Sequence, residues 1–313
     1  MHLPRESSSP EQTQRAERLT ALGQMLIVTL LWSSSFPIHK MLINNGMPPI
    51  SLAAYRYFSA SIILLIVFSL RTRRERQHTD ASSPLGLAAW LMLLTIGIFM
   101  YTAQAVHLTA LSLITVSDSG LVSMTFLPVA VAILTSVIER TPPTRLQLIG
   151  LGVVLAGIYI YFPSNIKDAR LTGVLLNVLS SSMWAVATVL THMAVARMRI
   201  TSLKLTTVTM MSGSAILLAI ALLKNGLYVP DLAQILWLAF LVFVNTAFAF
   251  VLFNHTMKVL GAFEIAAFQD SMVIQIGLLA AIFLHEPITP IMVMGMLLVT
   301  FGVSVVQYFA PKR

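Results

Sequence analysis

Apolar segments of about twenty residues recur along this chain of 313 residues, separated by short polar stretches. A helix of about that length crosses a hydrocarbon core ~30 Å thick. Hydrophobic residues make up 57% of the sequence and charged residues only 10%, whereas soluble domains carry roughly 25% charged residues. The segments are also too long for the strands of a membrane barrel, which run ~10 residues and alternate in polarity. The sequence therefore predicts an all-α integral membrane protein.

The apolar segments number ten. The predicted transmembrane helices cover residues 20–43, 50–70, 85–109, 114–137, 144–162, 171–195, 203–223, 234–256, 262–283 and 287–309. Residues 1–19 and 310–313 are the polar tails of this scheme. The least marked boundary falls within 85–137, where only Thr109, Ser112 and Thr115 separate the third span from the fourth. That window is too long for a single crossing, so we divide it.

Basic residues fall mainly on one side of this topology. With the N-terminus inside, 15 of the 20 lysines and arginines lie on the cytoplasmic side, 4 lie outside, and Arg56 remains within the second span. The outer four are Lys40, Lys167, Arg170 and Lys224. Membrane orientation thus explains the net charge of +8, and no nucleic-acid partner is expected. We predict cytoplasmic termini in a multi-pass protein of a bacterial cytoplasmic membrane, surrounded by lipid.

The two halves of the chain repeat one another. The matched positions are Trp32 with Trp184, Lys40 with His192, Asp118 with Glu264, Glu139 with Glu286, Gly150 with Gly295, and Gly157 with Gly302. Their separations differ by only a few positions, a drift that loop insertions would produce. The repeats, 20–162 and 171–309, are joined by an outer linker, 163–170. Each repeat has five spans, so the second is inverted in the membrane, and a substrate site is expected where the repeats meet near the midplane.

Several motifs resemble those of a known family. The sequence LWSSSFP from Leu31 to Pro37 is followed by Lys40 and by Tyr55-Arg56-Tyr57. Near its end, each half has a glutamate followed by two glycines seven residues apart: Glu139, Gly150 and Gly157, and Glu286, Gly295 and Gly302. Over residues ~20–309 the chain resembles the EamA-type repeats of the drug/metabolite transporter superfamily. The resemblance implies ten helices, a central cavity and secondary transport, often export of amino acids and other small metabolites. The chain departs from the family pattern in two places: the interval from Pro128 to Glu139 is short, and Ile274 stands where a proline is usual.

Asp270 is the leading candidate for a functional residue. Charged groups inside a membrane are rare and costly, and Asp270 lies nine residues into its span, roughly 13 Å deep at 1.5 Å per residue. With Ser271 and Gln275 it forms one polar arc of the helix. We consider a proton-coupling site or a counter-ion for a substrate ammonium, against a neutral carboxyl that only bonds neighbouring helices.

Other polar residues have two interpretations. Arg56 is suited either to gripping a substrate carboxylate or to tying helices together. The resemblance places the first and sixth helices at the cavity, which makes candidates of Trp32, Ser33, Ser34, Asn177, Ser181 and Trp184. Pro37 and Pro128 are candidate hinges or gates. We interpret the other polar residues as structural: Lys258 with Glu264 as an interface pair, Asp118 on a helix dipole, Glu139 and Glu286 as caps, and Gln104, His107, Asn245, Asn254 and His255 as interhelical contacts.

Other function classes fit the sequence less well. It contains no cysteine, and its seven histidines form no HxxH or HxxxH pair, so neither a metal nor another cofactor is predicted. Ser212-Gly213-Ser214 has no evident histidine base, which argues against an intramembrane enzyme, and no filter motif indicates a channel. A nucleotide-sugar or sugar-phosphate exchanger would require several buried cations, but only Arg56 and less plausibly Lys40 are available. We therefore expect a small neutral, zwitterionic or singly charged substrate, protons as a candidate co-substrate, and either a monomer or a homodimer.

Overall fold

The computed structural model describes residues 10–75, 86–140, 142, 144–162, 168–198 and 202–309, and every regular element in this part of the chain is helical. The α-helices are α1 (Pro10–Asn44), α2 (Pro49–Glu75), α3 (Leu87–Leu113), α4 (Val116–Glu139), α5 (Arg145–Tyr161), α6 (Asp168–Met198), α7 (Ser202–Asn225), α8 (Leu232–Phe240), α9 (Ala249–Thr256), α10 (Ala262–Asp270), α11 (Met272–Leu284) and α12 (Pro290–Tyr308). A π-helical segment, Leu241–Phe248, joins α8 to α9 without interruption.

The length and composition of these helices are those of a membrane protein. In the described residues, nine helical spans have at least 18 residues and enough hydropathy to cross a membrane. In this scheme α8, the π-helical segment and α9 make one crossing, and α10 with α11 makes another. The remaining helix, α5, is apolar and 17 residues long, at the short end of the roughly 17–25 residues that suffice. The prediction of an all-α, multi-pass membrane protein is confirmed.

Most helix boundaries differ from the predicted ones by a few residues, and three of these differences have a local physical reason. α1 begins at Pro10, inside the segment predicted as a polar tail. α3 continues to Leu113 because the hydroxyls of Thr109 and Ser112 bond back to carbonyls of their own helix, and so do not interrupt it. α12 begins at Pro290 rather than 287, with a proline at its first position, where no amide donor is needed.

The helix interruptions do not coincide with the candidate prolines. Pro37 and Pro128 lie inside the unbroken helices α1 and α4. The ninth span is interrupted at Ser271, between α10 and α11, shortly before Ile274. The helix is therefore distorted here, not broken, because Ser271 keeps helical φ and ψ angles and the proline of the family pattern is absent. Ser271 accommodates the distortion with a local bond from its hydroxyl to the carbonyl of Phe268 (2.6 Å).

One close helix pairing joins the end of one half to the end of the other. A Cβ added to Gly157 would lie 3.0 Å from the carbonyl oxygen of Gly295, and one added to Gly302 would lie 2.8 Å from that of Gly150. Small residues let two helix backbones approach to this extent. The contacts are reciprocal: Gly150 meets Gly302 and Gly157 meets Gly295, as a two-fold axis between α5 and α12 requires.

The helix ends repeat in the same way. Thr115 caps the start of α4, and Gly261 stands at the corresponding position before α10. Arg140 and His285 end α4 and α11 in the same way, with left-handed φ angles of 54° and 55°. In both halves the turn then leads to a capping threonine, Thr144 before α5 and Thr289 before α12. The two-repeat layout is thus present in the backbone as well as in the sequence.

The remaining helices form two corresponding groups. In one, α6 packs against α3 and α4; in the other, α1 packs against α9, α10 and α11. We call these the α6 group and the α1 group. The face of the bundle where α1 begins and α12 ends is called the terminal face, and the other the opposite face.

Candidate functional site

Gln275 on α11 organises the polar contacts of the α1 group. Its amide nitrogen donates to the hydroxyl of Thr29 (3.1 Å) and to that of Ser271 (3.0 Å), and its carbonyl oxygen accepts from Ser33 (3.1 Å). Thr29 and Ser33 are one turn apart on α1, hence on the same helix face, and both are fully buried. The structure thus brings together three predicted site residues, Ser33, Ser271 and Gln275. Thr29, which the sequence did not single out, joins them.

The π-helical segment contacts the same stretch of α1. Asn245 donates to the carbonyl of Leu31 (2.9 Å) and to the hydroxyl of Ser34 (3.3 Å). Its Oδ1 is buried without a hydrogen-bond partner in the described part of the chain. A π-helical turn holds one extra residue and is frequent at functional sites. As predicted, Asn245 makes an interhelical contact. Through its bond to Ser34, it adds this residue to the polar contacts of the α1 group.

The two candidate tryptophans occupy different surroundings. Trp32 packs against Phe250 and Phe253 of α9, with ring centroids 5.6 and 5.0 Å apart. Its indole therefore belongs to an aromatic layer between α1 and α9. Trp184 on α6 is half-buried, and its carbonyl accepts a bond from Thr188 (2.9 Å).

Asp270 does not share the contacts of Ser271 and Gln275. Its two carboxylate oxygens accept from Ser304 Oγ (2.9 Å) and Gln307 Nε2 (3.1 Å), both on α12. The predicted polar arc is therefore divided, with Asp270 bonded to α12 and Gln275 to α1. Asp270 is 5% exposed and is held by neutral donors.

The α6 group has its own buried network around Asn177. The Oδ1 of this side chain accepts from Ser123 Oγ and lies 3.0 Å from His107 Nδ1, while its amide nitrogen donates to the carbonyl (3.0 Å) and hydroxyl of Ser119. An amide oxygen only accepts, so His107 carries its proton on Nδ1. Ser181 bonds back to the carbonyl of Asn177 (3.0 Å). Asn177 and Ser181 thus lie in one buried network of α6, and His107 acts as an interhelical contact, as predicted.

Arg56 contacts α1 through a histidine. Its Nη1 lies 2.6 Å from Nε2 of His39, and the two residues are 7% and 3% exposed. Because an arginine can only donate, Nε2 of His39 accepts, and the proton of a neutral ring is on Nδ1. The guanidinium also lies 5.1 Å from the ring centre of Tyr57. Phe36, one turn before His39, meets His107 edge-on at 5.3 Å and so links this pair to the α6 group.

Two charged side chains connect the α1 side of the bundle to the corner between α3 and α4 at the opposite face. Lys40 donates to the carbonyls of Leu111 (2.7 Å) and Ile114 (2.9 Å) at the end of α3. Glu286 accepts from the backbone amides of Val116 (2.6 Å) and Ser117 (3.0 Å) at the start of α4. A cation at a helix C-terminus and an anion at an N-terminus both complement the helix dipole. Glu286 is thus a capping residue, as predicted, but of a helix in the other half.

The two faces carry corresponding ion pairs. At the opposite face Arg170 binds Asp118 through two bonds (2.8 and 2.7 Å), and Tyr161 donates to the same carboxylate (3.1 Å). At the terminal face Arg18 binds Glu264 at 2.6 Å. Arg18 and Arg170 occupy corresponding positions of the two repeats, and so do their acidic partners. Glu264 therefore pairs with Arg18, not with Lys258 as predicted.

The corresponding pairs differ in burial. Asp118 is fully buried and the side chain of Arg170 is 29% exposed, whereas those of Arg18 and Glu264 are 63% and 30% exposed. Beside the buried pair lies a cavity of about 290 Å³. Its lining residues are Lys40, Leu113, Ile114, Thr115, Asp118, Arg170 and Glu286.

A histidine and an amide also pair in both groups. His255 of α9 lies 2.8 Å from the Oε1 of Gln24 on α1, matching His107 and Asn177 in the α6 group. His255 is an interhelical contact, as predicted. The side chains of Glu139 and Asn254 lie outside the described residues, as does the linker from 163 to 167. Within that description, no group of three or more His, Cys, Asp or Glu side chains is suited to hold a metal ion.

Both repeats of this protein are similar to a known family in sequence and to a known structure in fold. The sequence model of the EamA-like transporter family matches residues 19–162 and 171–308, one match for each repeat. No curated protein sequence matches significantly. A protein of known crystal structure is similar in fold, with a TM-score of 0.63 and 15% sequence identity over 93% of this chain and 97% of that chain.

Proposed function

Because the chain belongs to the EamA-like transporter family, we propose that it moves a small molecule across the membrane by alternating access of its two inverted five-helix halves. We place it in a bacterial cytoplasmic membrane with both termini in the cytoplasm, so that the terminal face is the cytoplasmic one. The proposed activity is export of amino acids or similar small metabolites. Inverted repeats give such a protein two related conformations, each open at one face.

The observation that carries this proposal is an asymmetry between the two faces. At the opposite face α1 packs on α3 and α4, and Lys40 bonds the corner between them. The corresponding residue on α6, His192, is exposed and makes no hydrogen bond or ion pair within the described residues. Nor does α6 pack to a similar extent against α9 or α10 in that part of the chain. We interpret a symmetric frame whose two faces make different contacts as one of the two states of alternating access.

An untargeted metabolite profile of the culture medium tests the export proposal. Cells expressing the wild-type protein are compared with cells carrying the empty vector. We expect at least one small metabolite to be enriched only by the wild type, and that compound identifies the substrate. A medium that is unchanged by expression of a correctly inserted protein would contradict export.

Asp270 is the proposed site of proton coupling. Asp270→Asn keeps an oxygen that accepts from Ser304 or Gln307, so the fold is expected to persist, but the amide cannot exchange a proton. We expect efflux against a concentration gradient, driven only by an inward proton gradient, to fall to the vector background. Downhill movement of the same substrate should remain. Ser304→Ala, which removes one bond and keeps the carboxyl group, is the matched control and should stay coupled.

Proteoliposomes loaded with the identified substrate provide the measurement. Uphill efflux that continues in Asp270→Asn at the wild-type rate would exclude the proposed role of Asp270. It would leave the transport function itself intact.

A further inference from the structure

We infer that Arg56 and His39 form the binding site for a single carboxylate group of the transported molecule. This inference rests on the proposed transport function and names the chemical class of its substrate. It starts from the charge of one buried side chain. Arginine is protonated under all physiological conditions, and Arg56 is only 7% exposed, between membrane-spanning helices.

No acidic side chain neutralises Arg56 in the described part of the chain. The buried acids there are engaged elsewhere, Asp118 by Arg170 and Asp270 by two neutral side chains of α12. Glu286 is bound to the amides of α4. An isolated charge in a low-dielectric interior is costly unless it is paired. The missing negative charge is therefore expected from a ligand.

The unpaired polar atoms beside Arg56 fit an anion. Two buried nitrogen atoms there have no hydrogen-bond partner, the Nε of Arg56 and the Nδ1 of His39. The Nε of arginine always carries a hydrogen. The Nδ1 of His39 carries one because the Nε2 of the same ring accepts from Arg56. A carboxylate has two oxygen atoms that accept such bonds, and arginine recognises it with particular strength. The site thus holds donors in excess and lacks an acceptor.

The surroundings limit the charge of the ligand to one. Aromatic rings border the guanidinium, with Tyr57 5.1 Å from it and Tyr101 packed edge-on against Tyr57 at 5.2 Å. Arg56 is the single buried lysine or arginine among the described residues. Lys40, the next residue after His39, directs its ammonium to backbone carbonyls. A group with several negative charges, such as a sugar phosphate, would find too few cations.

The test compares metabolite export by the wild type, Arg56→Lys and Arg56→Met at matched membrane levels. Ser61→Ala is the control, because Ser61 is buried on the same helix and contacts α7 rather than α1. We expect the compounds enriched by the wild type and by Ser61→Ala to carry a carboxylate. Arg56→Lys keeps the charge but loses the planar pair of donors, so the KM of export should rise about tenfold or more. Arg56→Met should lose export.

Competition separates a binding role of Arg56 from a structural one. The carboxamide of the exported compound should inhibit wild-type export at least about tenfold more weakly than the free acid. If Arg56→Met does not fold, Arg56→Lys provides this comparison, because its acid preference should be reduced. Exported compounds without an acidic group, or an acid preference unchanged in Arg56→Lys, would overturn the inference while leaving transport established. No export by the wild type would refute the proposed function itself, and the inference with it.

Discussion

Replacing Arg170 with methionine is expected to destabilise the protein by about 3 kcal/mol. Arg170 provides two of the three side-chain bonds to the carboxylate of Asp118, which is fully buried. Removing the arginine leaves a buried negative charge whose one remaining side-chain hydrogen-bond donor among the described residues is the hydroxyl of Tyr161. The aliphatic stem of methionine keeps the apolar contacts, so the change reports the loss of charge. Thermal unfolding of the purified protein in detergent measures it.

The corresponding pair at the terminal face is the matched control. Arg18→Met removes the same type of residue at the related position, but from a pair whose side chains are 63% and 30% exposed. Exposed pairs contribute little, so the unfolding temperature should change far less. The double variant Asp118→Asn with Arg170→Met should recover much of the lost stability because no charge stays buried. Equal effects of Arg170→Met and Arg18→Met would refute the unequal burial of the two pairs.

Gly157 is the second position where a large effect is expected. A Cβ there would lie 2.8 Å from a side-chain carbon of Val299 and 2.9 Å from its backbone nitrogen. A backbone cannot move aside without separating α5 from α12. Gly157→Ala is therefore expected to cost about 1–3 kcal/mol, as overpacking does, and Gly157→Leu to prevent recovery of folded protein. Gly302→Ala, at the related position of the other repeat, should behave like Gly157→Ala.

Gly152, on the same helix, is the control for this prediction. A Cβ at Gly152 meets nothing within 4 Å. Gly152→Ala should therefore be neutral or slightly stabilising, since alanine favours a helix over glycine. Size-exclusion profiles and unfolding temperatures compare the variants. A Gly157→Ala protein as stable as the Gly152→Ala protein would show that α5 and α12 do not approach as closely as described.

The sequence predicts the fold well because hydropathy and repeat spacing carry most of the information. Apolar segment length is imposed by the bilayer, and each matched glycine reflects a backbone contact. The predicted boundary after α3 is wrong because Thr109 and Ser112 satisfy their hydroxyls within the helix and therefore do not end it. The start of α1 at Pro10 escapes prediction because a polar helix outside the membrane has no hydropathy signal.

Hydrogen-bond partners are less predictable than positions. A helical wheel places Asp270, Ser271 and Gln275 on one broad polar arc, but it does not show that α12 supplies the hydrogen-bond donors to Asp270. The sequence does not single out His39 as the partner of Arg56. The one feature that draws attention to His39 is its position directly before Lys40, which belongs to a motif repeated in both halves. The sequence alone does not predict the ion pair of Arg18 with Glu264. The repeat spacing relates these two residues to Arg170 and Asp118, so one pair can be predicted once the other is known.

Alternating access is tested most directly by the accessibility of one cysteine placed on α1. The natural chain has no cysteine, so Ser34→Cys is a single reporter, with Ser83→Cys and Asn225→Cys marking the two aqueous sides. A membrane-impermeant maleimide should label Ser34→Cys from the terminal face only. Adding Glu286→Gln, which weakens the contact between Glu286 and the start of α4 at the opposite face, should shift labelling toward that face. If Glu286→Gln leaves the ratio of labelling from the two faces unchanged, the result would contradict alternating access.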